Sequence, residues 1–293
     1  MPEDDVPRLV LGTAALGLPY GLPEGGASPA LLPEDAVRGL VRMALDAGVA
    51  TFDTAPAYGE AEARLGRALA GEGRVWTKVT SGSVEASLER LRRPRVELVS
   101  WHNWTASLGR DPVFHAAWDD LRRSSAIASL GATTYGEDDA AAAVESGLFD
   151  VVQVEWNLLR QGVQRRLQAL PRAAVRIAVR SVWLQGVLTP RRRALPGFLR
   201  DLEPSLERAA GLAREWGLDL EGLALRAALD QPGVDHVVIG VDAPDQLAAA
   251  LRTARSPRLR PDQLEALAPL DRGDDPRTDP RTWADRTAPE RHG

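Results

Sequence analysis

Four side chains within the first 102 residues are of the types that handle a proton on a carbonyl or alcohol oxygen: Asp53, Tyr58, Lys78 and His102. A free phenol ionises only near pH ~10. A neighbouring ammonium favours the phenolate, and a carboxylate keeps that ammonium charged and in place. The phenol then becomes a usable acid or base. An imidazole beside it can donate a hydrogen bond to the substrate oxygen and orient it. None of the four can carry a hydride, so redox chemistry at such a site requires a cofactor.

Composition singles out one of them. Of 36 basic residues, 35 are Arg and Lys78 is the one lysine. Arg cannot replace a compact ammonium whose proton must be tunable. Each residue also has a plain reading. Asp53, followed by Thr54 and Pro56, could cap a turn. Tyr58 could pack with its hydroxyl in water. His102 could be a satisfied structural histidine, and Lys78 a chance survivor. An inert site requires all four at once, and a buried lysine needs a partner in any case. Asp53 is the obvious one.

The four must be held by something rigid. Short apolar or β-branched runs recur at 8–11, 49–53, 75–78, 96–102, 126–131, 151–156, 175–181 and 236–240. Amphipathic stretches lie between them, among them 33–47, 60–70, 84–91 and 138–146. Alternating strands and helices imply parallel βαβ units, and continuous apolar runs imply strands buried on both faces. Eight units predict an α/β fold closed as a (β/α)8 TIM barrel, whose active sites lie at the C-terminal ends of the strands. Asp53, Lys78 and His102 each end a predicted strand, and Tyr58 follows the second. The long interval between the last two strands holds two further helical stretches, 204–216 and 220–229. Residues 1–271 read as the barrel domain. Residues 272–293, rich in Pro, Asp and Arg, read as a C-terminal tail that Trp283 could anchor back onto the barrel.

The remaining features exclude function classes. The net charge is −5, and the longest basic run, Arg191-Arg192-Arg193, sits between Pro190 and Pro196 as a solvated loop, so no nucleic acid is expected. With no cysteine there is no disulfide or thiolate chemistry. No metal site is expected. No run of about 18 apolar residues exists and the N-terminus lacks signal-peptide features, so a cytoplasmic protein without membrane contact is expected. The glycine-rich stretch 21–26 follows no strand-to-helix transition and is read as a loop, not a dinucleotide fingerprint.

Several runs are similar to one known family. Phe52-Asp53-Thr54-Ala55-Pro56-Ala57-Tyr58-Gly59, continued by Glu62 and Leu65-Gly66, resembles the aldo-keto reductase signature. Val75-Trp76-Thr77-Lys78-Val79 and Leu98-Val99-Ser100-Trp101-His102 resemble its third and fourth strands. The likeness continues through 130–135, 152–157, 181–186 and 238–240. It implies NADP(H), with NAD(H) as the alternative, bound in an extended pose, and a small-molecule carbonyl substrate such as an aldehyde, ketone or sugar. By that resemblance Tyr58 is the general acid, Lys78 and Asp53 tune it, and His102 orients the carbonyl. Thr133, Thr134 and Gln153 match positions that hold the nicotinamide amide. Ser181, Leu184 and Gly186 match the pyrophosphate side. Gly240, Asp242, Gln246 and Ala250 match the adenosine-phosphate end.

The departures from the family pattern concern the cofactor half. Thr133-Thr134 stands where Ser-Asn is common. Arg180 replaces an aromatic that stacks on the nicotinamide, and it could face a carboxylate or sugar hydroxyl, which predicts a polar or acidic substrate. Asp242 stands where a cation often meets the 2′-phosphate; it would repel that phosphate and could accept from a ribose hydroxyl. Ala249 and Ala250 replace adenine contacts. Trp101, Trp104 and Trp283 could line an aromatic mouth, although alternation sends one of Trp101 and His102 away from the site. Two other functions use the same residues: a Schiff-base lyase built on Lys78, and a non-catalytic barrel that senses the dinucleotide.

Overall fold

The computed structural model describes residues 5–22, 30–170 and 175–283. Residues 23–26 of the glycine-rich stretch and 284–293 of the C-terminal stretch lie outside the described residues. The strands are β1 (Leu9–Gly12), β2 (Thr51–Asp53), β3 (Arg74–Val79), β4 (Leu98–Trp101), β5 (Leu130–Thr133), β6 (Val151–Glu155), β7 (Arg176–Arg180) and β8 (His236–Gly240). The helices of the first half are α1 (Ala14–Gly17), α2 (Glu34–Asp46), α3 (Ala61–Leu69), α4 (Glu85–Leu91) and α5 (Pro112–Arg123). Those of the second half are α6 (Glu137–Glu145), α7 (Gly162–Gln168), α8 (Glu203–Glu215), α9 (Leu220–Asp230), α10 (Pro244–Ala254) and α11 (Pro261–Ala266). All strand pairs are parallel, in the order β1 to β8, and β8 closes on β1 with Val10 opposite Val238 and Gly12 opposite Gly240. The expected TIM barrel is the observed one.

Local sequence explains the helices. In α2, Val37, Leu40, Val41 and Ala44 form one buried stripe at helical spacing, and Glu34 and Asp35 sit in the first turn, where the helix dipole favours them. In α5 the Asp111 carboxylate caps Val113 N at 2.8 Å and Pro112 fills the first helical position. The two extra stretches before the last strand are α8 and α9.

Period-two alternation sorts the strand residues into two sets. Val10, Trp76, Leu98, Val151, Ala178 and Val238 form a small apolar cluster that plugs the barrel, distinct from the large cluster between strands and helices. Two residues further along the same strands come Gly12, Lys78, Ser100, Gln153, Arg180 and Gly240. The inward face therefore changes from apolar plug to polar floor within one repeat. Trp101 has the opposite parity. It packs edge-on against Phe114 with ring centroids 4.8 Å apart, and Trp104 packs against Phe149 at 5.3 Å.

One strand is displaced from its predicted place. The run 126–131 is apolar, yet β5 begins at Leu130; Ile127 makes only an isolated bridge to Val96. Register decides this, because Val99 faces Leu130 and Ser100 faces Gly131. Gly131 is a poor strand former by propensity, but the barrel needs it there. A Cβ on Gly131 would lie 2.7 Å from Val151 O and 2.8 Å from Ser100 Oγ.

Candidate active site

Asp53, at the end of β2, and Lys78, inside β3, meet on the polar floor. Lys78 Nζ donates to Asp53 Oδ2 at 2.7 Å and to Thr54 O at 2.8 Å. Both side chains are buried, Lys78 to 2% exposure. Burial by itself would depress the ammonium; the charge of Asp53, then Tyr58, outweighs it and holds Lys78 above its ordinary value. The ammonium lies 4.9 Å from the centroid of the Tyr58 ring. Burial pushes His102 down to about 4, reinforced by the positive charges of Lys78 and Arg180, so the imidazole is neutral at pH 7.

The turns that carry Tyr58 and His102 are fixed by backbone contacts. Tyr58 N donates to Ala55 O at 3.0 Å, and Glu60 N donates to Gly17 O at 3.2 Å. Gly17 must be glycine because a Cβ there would lie 2.0 Å from Tyr58 O and 2.3 Å from Ala61 N. His102 N donates to Val79 O at 2.8 Å. The next residue, Asn103, is left-handed at φ 57°, and its N–H donates to Thr133 Oγ1 at 2.8 Å.

A cavity of about 660 Å³ opens over this floor at the C-terminal ends of the strands. It reaches from Asp53, Tyr58 and His102, past Ser181–Gly186, to Gly240, Asp242 and Gln246. Ser181, Leu184, Gln185 and Gly186 all have positive φ, at 64°, 47°, 53° and 105°. Leu184 N and Gly186 N close this turn on itself, donating to Ser181 O and Trp183 O at 2.9 Å each.

The comparison with known proteins now bears on this geometry. The model of the aldo/keto reductase family matches residues 8–272. The chain belongs to the aldo/keto reductase family. Many solved structures share its fold, two of which follow. An aldo-keto reductase from Bacillus halodurans, in its holo form, is 20% identical with a TM-score of 0.71 and mutual coverage of 90% and 91%. A glycerol dehydrogenase from Gluconobacter oxydans is 22% identical with a TM-score of 0.68, over 90% of each chain. Membership makes the chain an oxidoreductase by family. No helix among the described residues is long and apolar enough to cross a membrane.

In this aldo/keto reductase several expected contacts fall elsewhere. Thr133, Thr134 and Gln153 do not line the cavity. Thr133 is spent on the turn after His102. Gln153 Nε2 donates to Asp53 Oδ1 at 3.1 Å, so both Asp53 oxygens are held. Arg180 lies over Thr134 and Gln153, donating to their carbonyls at 2.9 and 3.1 Å, and its guanidinium stacks 4.3 Å from the Tyr135 ring centroid. Each of those bonds uses one of the two N–H groups on its terminal nitrogen, and Arg180 also lines the cavity. Ala250 packs inside, while Ala249 faces the cavity.

The expected tryptophan mouth is also corrected. Trp101 and Trp104 belong to the core, and Trp283 is buried edge-on to Phe198 at 5.9 Å. Trp183 is the tryptophan in the cavity wall among the described residues. Nor is Arg191 part of a solvated run. Its Nη2 donates to both oxygens of Asp242, at 2.8 and 2.6 Å. Residues that the sequence reading passed over include Tyr20, Tyr135, Glu155, Asn157 and Arg281. A signal existed for two of them. The chain has three tyrosines, and all three line the cavity. Rarity, used for Lys78, applies equally to Tyr20 and Tyr135.

Proposed function

We propose that the protein interconverts a small carbonyl compound and its alcohol with a nicotinamide dinucleotide, Tyr58 exchanging the proton with the substrate oxygen. The observation that carries this reading is the chain's single lysine, buried and ion-paired to Asp53 at 2.7 Å beside the tyrosine ring. A charged ammonium held there stabilises the phenolate left when Tyr58 gives up its proton. Asp53, gripped on both oxygens, keeps that ammonium charged and still. His102, neutral at the working pH, donates to the carbonyl oxygen and aligns it. Tyr20, Tyr135, Glu155 and Asn157 line the surrounding wall and favour a polar substrate.

The residues present fit a dinucleotide, either NADP(H) or NAD(H). A cavity of about 660 Å³ running from Tyr58 and His102 past Ser181–Gly186 to Asp242 has the room and length for an extended dinucleotide. Thr134 Oγ1 and Gln153 Oε1 are buried polar atoms without a hydrogen-bond partner among the described residues, but they lie behind the cavity wall and do not serve this reading. A bound nicotinamide supplies the hydride that no side chain can.

The lyase reading fares worse. A Schiff base needs a neutral, reachable amine. Lys78 is charged, 2% exposed, and already donates to two acceptors. Tyr58→Phe decides between the oxidoreductase and a sensor that merely binds. Turnover of NADH or NADPH over a panel of carbonyl compounds should fall by ~10²-fold or more, while dinucleotide affinity stays within about twofold. Undiminished turnover in that variant, or no turnover in the wild type, sinks the mechanism.

A further inference from the structure

The reacting ring of a dinucleotide must lie at Tyr58 and His102. A ligand extended along the cavity therefore places its other nucleoside at the far end, among Asp242, Asp245, Gln246, Glu221 and Arg252. NAD(H) and NADP(H) differ there by one 2′-phosphate, which carries about −1.5 to −2 charges at neutral pH.

The charges at this end are uneven. Asp242, Asp245 and Glu221 are in the wall, and Asp219 lies just beyond, capping α9 through Gly222 N at 2.7 Å. Two arginines face them, Arg191 and Arg252. Arg191 is spent on Asp242 by the two bonds given above. Gln246 Nε2 donates to Asp242 Oδ1 at 2.6 Å, and Asp242 N donates to Gln246 Oε1 at 3.1 Å. The carboxylate is thus fixed at the lip, 22% exposed, with one acceptor position left on Oδ2 for a hydroxyl. Burial pushes Glu221 up to about 7; Asp219 and Asp245 add to that, and the charge of Arg191 opposes it. A phosphate placed here meets three acids and two arginines, one of them paired to Asp242.

We infer that this end of the cavity selects the dinucleotide without the 2′-phosphate, with Asp242 as the specificity-determining residue. Its carboxylate accepts from the ribose hydroxyls, the general acid-to-diol pairing of NAD sites, and keeps Arg191 from receiving a phosphate. The inference rests on the dinucleotide reading above.

Binding tests it without turnover. NADH and NADPH are titrated separately into the wild-type protein, following quenching of tryptophan fluorescence, which Trp183 in the wall should report. NADH should bind at least about tenfold tighter, the effect of one like-charge contact at near-aqueous dielectric. Asp242→Asn keeps the size and the Gln246 contact but removes the negative charge that neutralises Arg191. NADPH should then gain about tenfold and the gap should close. Glu221→Gln should narrow it less, and Arg252→Ala should not narrow it. NADPH binding as tightly as NADH in the wild type, or a preference for NADPH abolished by Arg252→Ala, overturns the inference. An unchanged gap in a folded Asp242→Asn protein overturns the part given to Asp242. Failure to bind either dinucleotide overturns the parent reading and this one with it.

Discussion

Replacing Lys78 by Met keeps most of the side chain's length and removes its charge. Asp53, 4% exposed, would retain only Gln153 Nε2 at 3.1 Å on one oxygen. The oxygen that Lys78 held at 2.7 Å would face an apolar side chain. Breaking a buried pair from one side costs about 3–5 kcal/mol, because the stranded charge can neither hydrate nor pair. At roughly 2–4 °C per kcal/mol the melting temperature should drop by about 6–20 °C. Urea unfolding should show the same loss as a lower midpoint with unchanged slope. Adding Asp53→Asn removes the stranded carboxylate and should restore at least about half of that loss. Both Lys78 variants should have lost turnover, since the phenolate has no ammonium beside it. A Lys78→Met protein within ~1 kcal/mol of wild type, or a double variant no more stable than the single, would refute the argument that this pair is buried and mutually dependent.

Two further outcomes follow from the site. His102 holds its proton less tightly folded than unfolded, at about 4 against 6.5. Between those values the unfolded chain binds more protons, so wild-type stability should fall as pH drops through that window; thermal melts of His102→Asn should show a shallower fall, and identical slopes would remove His102 from the explanation. Gly17→Ala places a methyl on Tyr58 O, so it should cost about 1–3 kcal/mol and lower kcat more than it raises KM; a melting temperature and kcat equal to wild type would show that the Tyr58 turn yields freely.

Much of the architecture was legible because it depends on periods. Eight apolar runs alternating with helical stripes admit few solutions, and α2, α3, α4, α6, α8 and α9 lie within about a residue of their predicted bounds. The convergence of these four residues was legible for a related reason. Asp53 ends β2, Lys78 lies one residue before the end of β3 and His102 follows β4, and strand ends share one rim. What failed was whatever depends on register or on reach between distant segments. The β5 strand lies further along the chain than its apolar run because register with β4 places it there. Trp101 left the site and His102 stayed, through parity that only pairing to β3 settles. Thr133 and Gln153 went to Asn103 and Asp53, partners 30 and 100 residues away. Arg191 found Asp242 51 residues on.

The sequence alone determined the barrel and the four residues at its rim, because local propensity and spacing act within a few residues. The tertiary structure decided what those residues touch. It locked Asp53 between Lys78 and Gln153, laid Arg180 across the backbone of Thr134 and Gln153, and tied Arg191 to Asp242. A side chain's charge is written in its type, but whether that charge is available depends on which partner the fold brings within about 3 Å.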